Sequence, residues 1–528
     1  MRTTADLKSA PAPLRFPSTA RRVRGVPPQH VSRPDHLEVV HLAAECWPFA
    51  RTGGLGEAVA GLAACQAARG IGVTVVMPLH RTIRESAIEL HAVGAPFTVP
   101  VGPRVQEVQL YRTTAQPGAP RMFFIGHAPS FDRQGIYGEG GTDYSDNARR
   151  FALFSRAAVH ALPRIAPGAS IVHAHDWHTA PALAVLGAGM ARPEYDRRPA
   201  RVLSVHNAGF QGSFPLETIA DVGFSDEPYD SRGFESHGRM NFLKGALTNC
   251  DLAVTVSPTH ARELRTPVGG FGLHQTFAAL DDRLVGIANG IDAEAWNPAT
   301  DTALPARYTC DDVAGKAACK ASLQRSCGLE VRPSTMLVAM CTRLAQQKGF
   351  DLVLGAGVVA QGDAQYVFVG RGDARYERAL ADLAAAAPGR VALRLDFSDE
   401  LEHRVLAGAD ALLMPSFYEP CGLTQMRAQR YGTIPIARRV GGLADTIEDD
   451  VTGFLFSDYS REALVASVRR ASARYAGADG WRTMMQRAMA RDFGWPRAAE
   501  QYITLYRQAA ATASRVRPEA PSRARARA

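Results

Sequence analysis

The 528-residue sequence lacks the patterns that usually mark a membrane-spanning, secreted or disulfide-stapled protein. It has no apolar run of about 18 residues or more and no secretory hydrophobic segment, so we expect neither membrane spanning nor export. Its eight cysteines form no Cys-x-x-Cys pair, which argues against a zinc ribbon or a thioredoxin-type motif. Scattered thiols in a chain without an export signal are typical of a reducing compartment, and we expect a cytoplasmic protein.

An even distribution of charge is also missing. The 60 lysines and arginines exceed the 52 aspartates and glutamates by eight, but residues 1–36 carry a net +5 and residues 514–528 a net +4. The body between them is near −1, which excludes the basic face of a nucleic-acid-binding fold. The tails at 1–36 and 513–528 are predicted to be disordered. An arginine-rich, acid-poor N-terminus is alternatively a sign of a transit peptide, which would place the protein in a plastid.

The body alternates short apolar strands with helical segments, and this pattern runs twice. The first series begins at residues 38–43 and the second restarts near Ser334. Such a series is typical of a parallel sheet with helices on both faces, so the predicted fold class is α/β with two Rossmann-like doubly wound domains. We expect domains at 37–310 and 334–480, a linker at 311–333, and a helix at 481–512 that crosses back to the first domain.

Polar residues follow several strands of the first series. The loop Arg51-Thr52-Gly53-Gly54-Leu55-Gly56 offers glycine N–H groups and one cation to an anion, although a plain tight turn explains it equally well. The segments His173-Ala174-His175-Asp176-Trp177-His178 and Val205-His206-Asn207 end two further strands. Three histidines suggest zinc, but the ligand set is incomplete and no cysteine is near. Polar contacts to a substrate, or a capped turn, are therefore the preferred interpretations.

Three loops of the second series offer groups that suit a phosphorylated sugar. Arg343 and Lys348 flank a strand–helix loop and could neutralise a diphosphate without a metal, although a solvated basic turn would explain this pair alone. Gly370 begins a Gly-Arg-Gly-Asp segment with the small residues that a backbone needs beside a nucleotide. The segment Glu419-Pro420-Cys421-Gly422-Leu423-Thr424 is the most informative. A helix predicted at 421–431 would hold a phosphate at its N-terminus while Glu419 contacts sugar hydroxyls.

These motifs, in this order over roughly residues 37–510, resemble the bacterial glycogen synthase and plant starch synthase family of retaining glucosyltransferases. Each motif is short, but the ordered set is highly specific. The segments that carry the resemblance are residues 44–49, 52–55, 144–151, 173–177, 205–207, 287–292, 343–349, 419–425, 432–435 and 441–446.

The resemblance implies a GT-B fold, in which the two Rossmann-like domains face a central cleft with the active site. It implies transfer of glucose from ADP-glucose to the non-reducing end of an α-1,4-glucan (glycogen), with retention and with no metal, cofactor, nucleic acid or membrane partner. The implied catalytic residues are His175 at the reacting sugar, Glu419 at the donor glucose, Arg343 and Lys348 at the diphosphate, and Asp146 as an orienting group. The implied donor site comprises Arg51, Gly53, Gly54, Asn207, Gly370, Cys421, Gly422, Leu423 and Thr424.

Three positions depart from the pattern of that family. Arg51 stands where the loop normally has lysine, and a planar guanidinium is not equivalent to a compact ammonium. Phe417 stands where the bacterial enzymes often carry arginine, and Arg427 where the broader superfamily has a second glutamate. Two alternatives stay open: a related GT-B glycosyltransferase that uses UDP-glucose or another acceptor, and a non-catalytic glucan-binding paralogue.

Overall fold

The structure is a computed structural model that describes residues 37–187, 198–224, 233–355, 357–360 and 362–515. The predicted basic tails lie outside the described residues, apart from 513–515. Within these ranges no helix is both long enough and apolar enough to cross a bilayer. The described chain contains two large sheets, of which the first ends at Gly286 and the second begins at Leu337.

The first domain is built on a sheet with a parallel centre and an antiparallel edge. Its strands are β1 (Glu38–Leu42), β2 (Gly72–Pro78), β3 (His91–Ala92), β4 (Phe97–Val101), β5 (Arg104–Arg112), β6 (Arg121–Gly126), β7 (Gly138–Glu139), β8 (Thr142–Asp143), β9 (Ile171–His175), β10 (Ala200–Val205), β11 (Ser213–Pro215), β12 (Glu235–Ser236), β13 (Arg239–Asn241), β14 (Leu252–Thr255) and β15 (Leu284–Gly286). The order is β15-β14-β10-β9-β1-β2-β6-β5-β3, and β4 pairs with β5. From β15 to β6 all pairs are parallel, whereas β11-β13-β12 and β7-β8 form small separate sheets.

Helices cover both faces of this sheet. They are α1 (Gly54–Ala68), α2 (Arg81–Arg84), α3 (Ala128–Phe131), α4 (Asn147–Ile165), α5 (Ala180–Gly187), α6 (Thr218–Asp221), α7 (Phe242–Asn249), α8 (Pro258–Glu263) and α9 (His274–Ala278). Side chains alternate across a strand, and Val39 and Val40 of β1 accordingly belong to different hydrophobic clusters on opposite faces. This double coverage explains why the strands have continuous apolar runs.

The second domain repeats the plan with an all-parallel sheet. Its strands are β16 (Leu337–Cys341), β17 (Gln365–Val369), β18 (Val391–Arg394), β19 (Ala411–Met414), β20 (Ile434–Arg438) and β21 (Phe454–Phe456), in the order β18-β17-β16-β19-β20-β21. Its helices are α10 (Ala314–Ser326), α11 (Phe350–Gly355), α12 (Ala374–Ala386), α13 (Asp399–Gly408), α14 (Thr424–Arg430), α15 (Gly441–Thr446), α16 (Arg461–Ala476) and α17 (Ala478–Met489). Leu337 and Val338 of β16 again point into different clusters, so the sheet is buried on both faces.

Most of the predicted linker at 311–333 is the helix α10, which packs on the second domain. The Lys316 ammonium donates hydrogen bonds to the carbonyls of Ala407 and Tyr431, at 2.9 Å each, and Lys320 forms an ion pair with Asp410 at 2.7 Å. Burial lowers the pKa of Lys316 to about 7. The linker prediction was wrong because the proline and acidic residues around this segment conceal a helix with a buried, paired face.

The C-terminal segment predicted as one crossing helix contains two. The first is α17, whose Trp481 and Met484 pack into a hydrophobic cluster of the second domain. After a break at Asp492–Gly494 the second helix, α18 (Trp495–Arg515), packs against α1 of the first domain through Trp495, Tyr502 and Tyr506. Only α18 therefore crosses back, and it brings two tyrosines under the first sheet.

Candidate active site

A cavity of about 970 Å³ lies between the two domains, at the carboxyl ends of both sets of parallel strands. Ligands of open α/β sheets bind at this edge. Its lining includes the predicted site residues Arg51, Gly53, Gly54, Asn207, Arg343, Lys348, Gly370, Glu419, Cys421, Gly422, Leu423 and Thr424. His175 and Asp146 are not among the lining residues.

The wall from the second domain carries charged groups at its surface. The Lys348 ammonium donates to Oε2 of Glu419 at 2.6 Å, and the Ser416 hydroxyl donates to the same oxygen at 3.0 Å. Oε1 of Glu419 has no hydrogen-bond donor among the described residues. Arg343 is exposed to the cavity and makes no hydrogen bond or ion pair within the described chain. One cation and one carboxylate oxygen therefore remain open to a ligand.

Two loops of this wall are tied together by their backbones. The N–H of Phe417 donates to the carbonyl of Gln347 at 2.8 Å, and the Gln347 side-chain amide donates to the carbonyl of Tyr418 at 3.2 Å. These bonds fix the spacing between the loop that carries Lys348 and the loop that carries Glu419. The ion pair thus rests on a preorganised frame and not on two free side chains.

The helix predicted from 421 begins three residues later, at Thr424. Gly422 precedes it in the left-handed region, with φ of +70°, and the side-chain amide of Gln425 donates to the carbonyls of Cys421 and Gly422. The expected free N–H groups of a first turn at Gly422 and Leu423 are therefore part of a loop. Burial raises the pKa of the Cys421 thiol to about 12, so this cysteine contributes shape and not a thiolate.

Gly370 directly follows β17 at a place where no side chain fits. Its φ is +146°, and a Cβ on this residue would lie 2.0 Å from the carbonyl oxygen of Thr342. Only glycine adopts this conformation so close to another strand end. The position brings bare backbone to the floor of the cavity beside Arg343.

Arg51 lines the cavity, but its guanidinium is already occupied. Nη1 donates to Glu57 at 2.7 Å, Nη2 donates to both carboxylate oxygens of Asp399 at 2.6 and 2.8 Å, and the group stacks over Trp47 at 4.3 Å. Glu57 lies in the first domain and Asp399 in the second. The fork of Arg51 thus bridges the two domains, and its contact with the donor stays a prediction.

The bridge continues through Arg427, at the position where a second glutamate was noted as missing. Its guanidinium forms an ion pair with Glu57 and another with Glu402 at 3.0 Å, and it stacks over Trp296 at 4.2 Å. Together with Arg51 and Asp399 these residues form an interdomain ion network along one side of the cavity.

The His175 side chain, for which a contact with the reacting sugar is predicted, lies behind the cavity lining. This ring is buried, with Nε2 3.0 Å from Nδ1 of His41 and Nδ1 3.0 Å from Nε2 of His206. Both ring nitrogens are therefore engaged inside the first domain. Burial lowers the pKa of His175 well below its usual value, so it is a neutral residue behind the cavity wall.

His178, three residues further on, is the histidine of this motif that lines the cavity. Its ring stacks on Tyr137 with 4.5 Å between ring centroids and lies tilted against Trp177 with 4.1 Å, and neither ring nitrogen bonds to a described residue. Burial lowers its pKa well below the usual value. His178 therefore presents a neutral polar edge to the cavity, which suits a sugar hydroxyl.

Asp146 is held away from the cavity by Arg133. The guanidinium donates to both carboxylate oxygens of Asp146, at 2.8 and 2.6 Å, on the surface just before α4. Burial alone would raise the pKa of Asp146, but the hydrogen bonds and charge of Arg133 lower it. Asp143, at the end of β8, lines the cavity instead. Asp146 therefore lies outside the cavity lining, and its role as an orienting group stays a prediction.

Within the described chain, three histidine side chains lie close enough together to share a metal ion. The candidate ligand atoms of His41, His173 and His175 all lie within 4.8 Å of one another. Each of these rings uses both nitrogens in hydrogen bonds, with Tyr506 and Ser204 as the partners of His173. A metal ion would have to displace these bonds, so the group fits a hydrogen-bonded core better than a metal centre.

Several cavity residues were missed by sequence reasoning. Glu45 accepts the Tyr137 hydroxyl and the Thr52 hydroxyl, and thereby fixes the glycine loop against the cavity. Phe397 exposes half of its surface at the cavity and offers a flat apolar face. The sequence signal for Glu45 was its place in a family motif, whereas Phe397 lies in no quoted motif.

Two Rossmann-like domains around a cleft, with an open cation and a lysine–carboxylate pair on one wall, define a glycosyltransferase of the GT-B class. Residues 38–279 match the family described as starch synthase catalytic domain, and residues 330–479 match glycosyl transferases group 1. The chain belongs to the glycogen synthase and starch synthase family of glycosyltransferases.

Individual relatives support this assignment over nearly the whole chain. It is 43% identical to a glycogen synthase of Anaeromyxobacter sp. over 482 residues, which are 90% of this chain and 100% of the relative. It is 39% identical to glycogen synthase 2 of Geobacter sulfurreducens, over 90% of this chain and 99% of the relative.

Solved structures agree with the sequence relatives. The catalytic domain of starch synthase IV from Arabidopsis thaliana, bound to ADP and acarbose, matches with a TM-score of 0.80 and 32% identity, over 90% of this chain and 100% of that chain. Sucrose-phosphate synthase from Thermosynechococcus elongatus shares the fold, with a TM-score of 0.58 and 19% identity.

Proposed function

We propose that the protein transfers glucose from ADP-glucose to the non-reducing end of an α-1,4-glucan, with retention of configuration. One observation carries the proposal: the Lys348–Glu419 ion pair and Arg343, which is unpaired within the described residues, line the same cavity as the neutral His178. The match to a starch synthase bound to ADP and acarbose supports an adenine nucleotide and a glucan as the two ligands.

Arg343 and Lys348 bind the diphosphate of the donor in this proposal. Negative charge grows on the diphosphate as the glycosidic bond breaks, and fixed cations in a water-poor cleft stabilise that charge without reorganisation. The exposed face of Phe397 is available for the nucleotide base.

Glu419 orients the donor glucose through Oε1, because Lys348 and Ser416 already occupy Oε2. His178 receives or donates one hydrogen bond at the opposite wall. The bond between C1 and the phosphate oxygen breaks, and a bond from C1 to the acceptor hydroxyl oxygen forms on the same face. The acceptor proton passes to the departing diphosphate, so the pair of carboxylates used by glycosidases is not needed.

The proposal includes no metal or cofactor, since Arg343 and Lys348 supply the charge that a metal ion would otherwise bring to the diphosphate. It places the reaction in the cytoplasm, with a plastid as the alternative that depends on residues 1–36, outside the described residues.

The test is an incorporation assay with the full chain, glycogen, and labelled ADP-glucose or UDP-glucose. We expect label from ADP-glucose to enter glycogen and to be released as labelled maltose by an exo-acting α-1,4-glucanase, which reports both linkage and chain end. A clear preference for UDP-glucose would overturn the donor assignment. No incorporation from either donor, with glucan binding retained, would favour the non-catalytic alternative.

A further inference from the structure

Four side chains behind the first-domain wall form a continuous hydrogen-bond chain that ends at the cavity. The side-chain oxygen of Gln66 in α1 lies 2.9 Å from Nε2 of His41, and Nδ1 of His41 lies 3.0 Å from Nε2 of His175. Nδ1 of His175 lies 3.0 Å from Nε2 of His206, whose ring lines the cavity. The chain thus connects an amide in the core with a ring at the substrate site.

The donor and acceptor groups of these side chains fix the order of donation along the hydrogen-bond chain. An amide oxygen only accepts hydrogen bonds, so His41 must carry its proton on Nε2. A neutral imidazole has one donor and one acceptor nitrogen, so His41 accepts from Nε2–H of His175, and His175 accepts from Nε2–H of His206. Burial keeps the rings neutral, because it lowers the pKa of His41 and His206 to about 4.

The orientation of the Gln66 amide is set by its other neighbour. Its side-chain nitrogen lies 3.5 Å from the hydroxyl of Tyr506 in α18, and that hydroxyl lies 2.6 Å from Nδ1 of His173. A hydroxyl can accept one hydrogen bond and donate another, so Tyr506 accepts from Gln66 and donates to His173. Rotation of the amide would take the Tyr506 proton away from His173 and reverse the direction of the whole chain.

We propose that Gln66 is a positioning residue that holds His206 with Nδ1 as an unprotonated acceptor, aimed at a hydroxyl of the bound sugar. The hydrogen bond from the sugar to His206 rests on the proposed glucosyl transfer, whereas the tautomer of His206 in the free protein does not. Two observations support the site: His206 lines the cavity, and Nδ1 is the ring nitrogen that no described residue engages. The adjacent backbone is also fixed, since the His206 N–H donates to Asp176 at 2.7 Å.

The test reads the histidine tautomers of the full chain by NMR after selective ¹⁵N labelling of histidine, with a His206→Gln sample to assign the signal. We expect the Nε2–H tautomer of His206 in the unsubstituted protein. Gln66→Met removes the acceptor at similar volume and should leave His206 as a mixture of tautomers, with kcat/KM for the donor lowered about tenfold. Gln66→Glu restores an acceptor and should restore the tautomer and most of kcat/KM.

The matched control is Gln324→Met, which removes a buried amide of the second domain that bonds to Gln365 at 2.7 Å. It should leave both the tautomer and kcat/KM unchanged. An Nδ1–H tautomer of His206 in the unsubstituted protein, or one that is insensitive to Gln66→Met, would overturn the inference. So would an unchanged kcat/KM in a Gln66→Met protein whose tautomers are mixed. If the unsubstituted protein has the Nε2–H tautomer of His206 but transfers no glucose, that result would instead contradict the proposed function.

Discussion

The two walls of the cleft treat titratable side chains in different ways. In the first domain, burial lowers the pKa of His206 to about 4 and that of His178 well below its usual value, so these two histidines are polar but neutral. We call this part of the first-domain side the neutral wall, while the charged Arg51 and Glu57 on that side belong to the interdomain ion network. In the second domain, Lys348 and Glu419 form an ion pair and Arg343 stands open. The difference suits the two parts of a sugar nucleotide, because neutral rings can exchange hydrogen bonds with sugar hydroxyls, whereas a diphosphate needs fixed cations such as Arg343 and Lys348.

The largest effect should come from the charged wall. Lys348→Ala removes one of two cations at the proposed diphosphate site and leaves Glu419 buried without its partner. Loss of one preorganised group that stabilises transition-state charge costs about 2.7–4 kcal/mol, so we expect kcat to fall about 10²- to 10³-fold. Steady-state kinetics with ADP-glucose and glycogen measure the loss.

Arg375→Ala is the control, since Arg375 lies on the same domain with 61% of its side chain exposed. It should change kcat by less than about twofold, because an exposed ion pair contributes little. Thermal unfolding of both variants separates loss of charge from loss of fold. A folded Lys348→Ala protein with unchanged kcat would show that the charge contrast between the walls has no catalytic role.

A smaller effect is expected from the neutral wall. His178→Ala removes one neutral hydrogen-bonding edge, and a sugar hydroxyl left without its partner in the cleft costs about 1–3 kcal/mol, which corresponds to about a 5- to 160-fold fall in kcat/KM. His91 in β3, whose side chain is 41% exposed and lies outside the cavity lining, provides the control, and His91→Ala should have no effect. His175→Ala would test the same wall by removing the hydrogen-bond partner of His206. A larger loss for His178→Ala than for Lys348→Ala would reverse the proposed division of labour.

The charged wall could be predicted almost completely from the sequence. Arg343, Lys348 and Glu419 each follow a strand of a parallel sheet, and the carboxyl ends of such strands meet at one edge. The strand–loop–helix pattern is therefore sufficient to bring these side chains together. The predicted start of the helix after Glu419, at residue 421, was three residues early, because Gly422 adopts a left-handed turn that delays the helix to Thr424.

The neutral wall could not be predicted in the same way. His173 and His175 are two residues apart on β9 and point to the same side of the sheet, where His41 lies. Only His178 lies beyond the turn at Asp176, which has a φ of +57° although it is not glycine. Which of three histidines within six residues reaches a cavity depends on that backbone turn. The pairing of Arg51 with Asp399, 348 residues apart, likewise depends on how the domains meet.

The ion network joins the two walls, and its disruption should have a modest effect. Arg51→Lys keeps the charge but loses the fork that contacts Glu57 and Asp399 together, so we expect KM for ADP-glucose to rise about three- to tenfold with little change in kcat. If loss of the Arg51–Asp399 contact causes this rise in KM, Asp399→Asn added to Arg51→Lys should raise KM little further, because the effects of substituting two residues in contact are not additive. Full additivity of the two substitutions would contradict the bridge.

The smallest effect concerns stability in acid, where the neutral wall should be the sensitive one. A histidine with a pKa of about 4 in the folded state and about 6.5 when unfolded binds its proton first in the unfolded state. The free energy of unfolding should therefore fall as the pH falls from about 6.5 towards 4, by about 1.4 kcal/mol per pH unit for each such residue.

His80 is a suitable probe, because burial lowers its pKa to about 4, its Nε2 donates to the carbonyl of Ala44, and it lies outside the cavity lining. His80→Gln can keep that donor without titrating, so denaturant unfolding at pH 7.5 and 5.5 should show a decrease about 1 kcal/mol smaller than in the unsubstituted protein. Equal decreases in the two proteins would mean that His80 is protonated in the folded state at pH 5.5, and burial would then keep the histidines of the first domain neutral less strongly than the structure indicates.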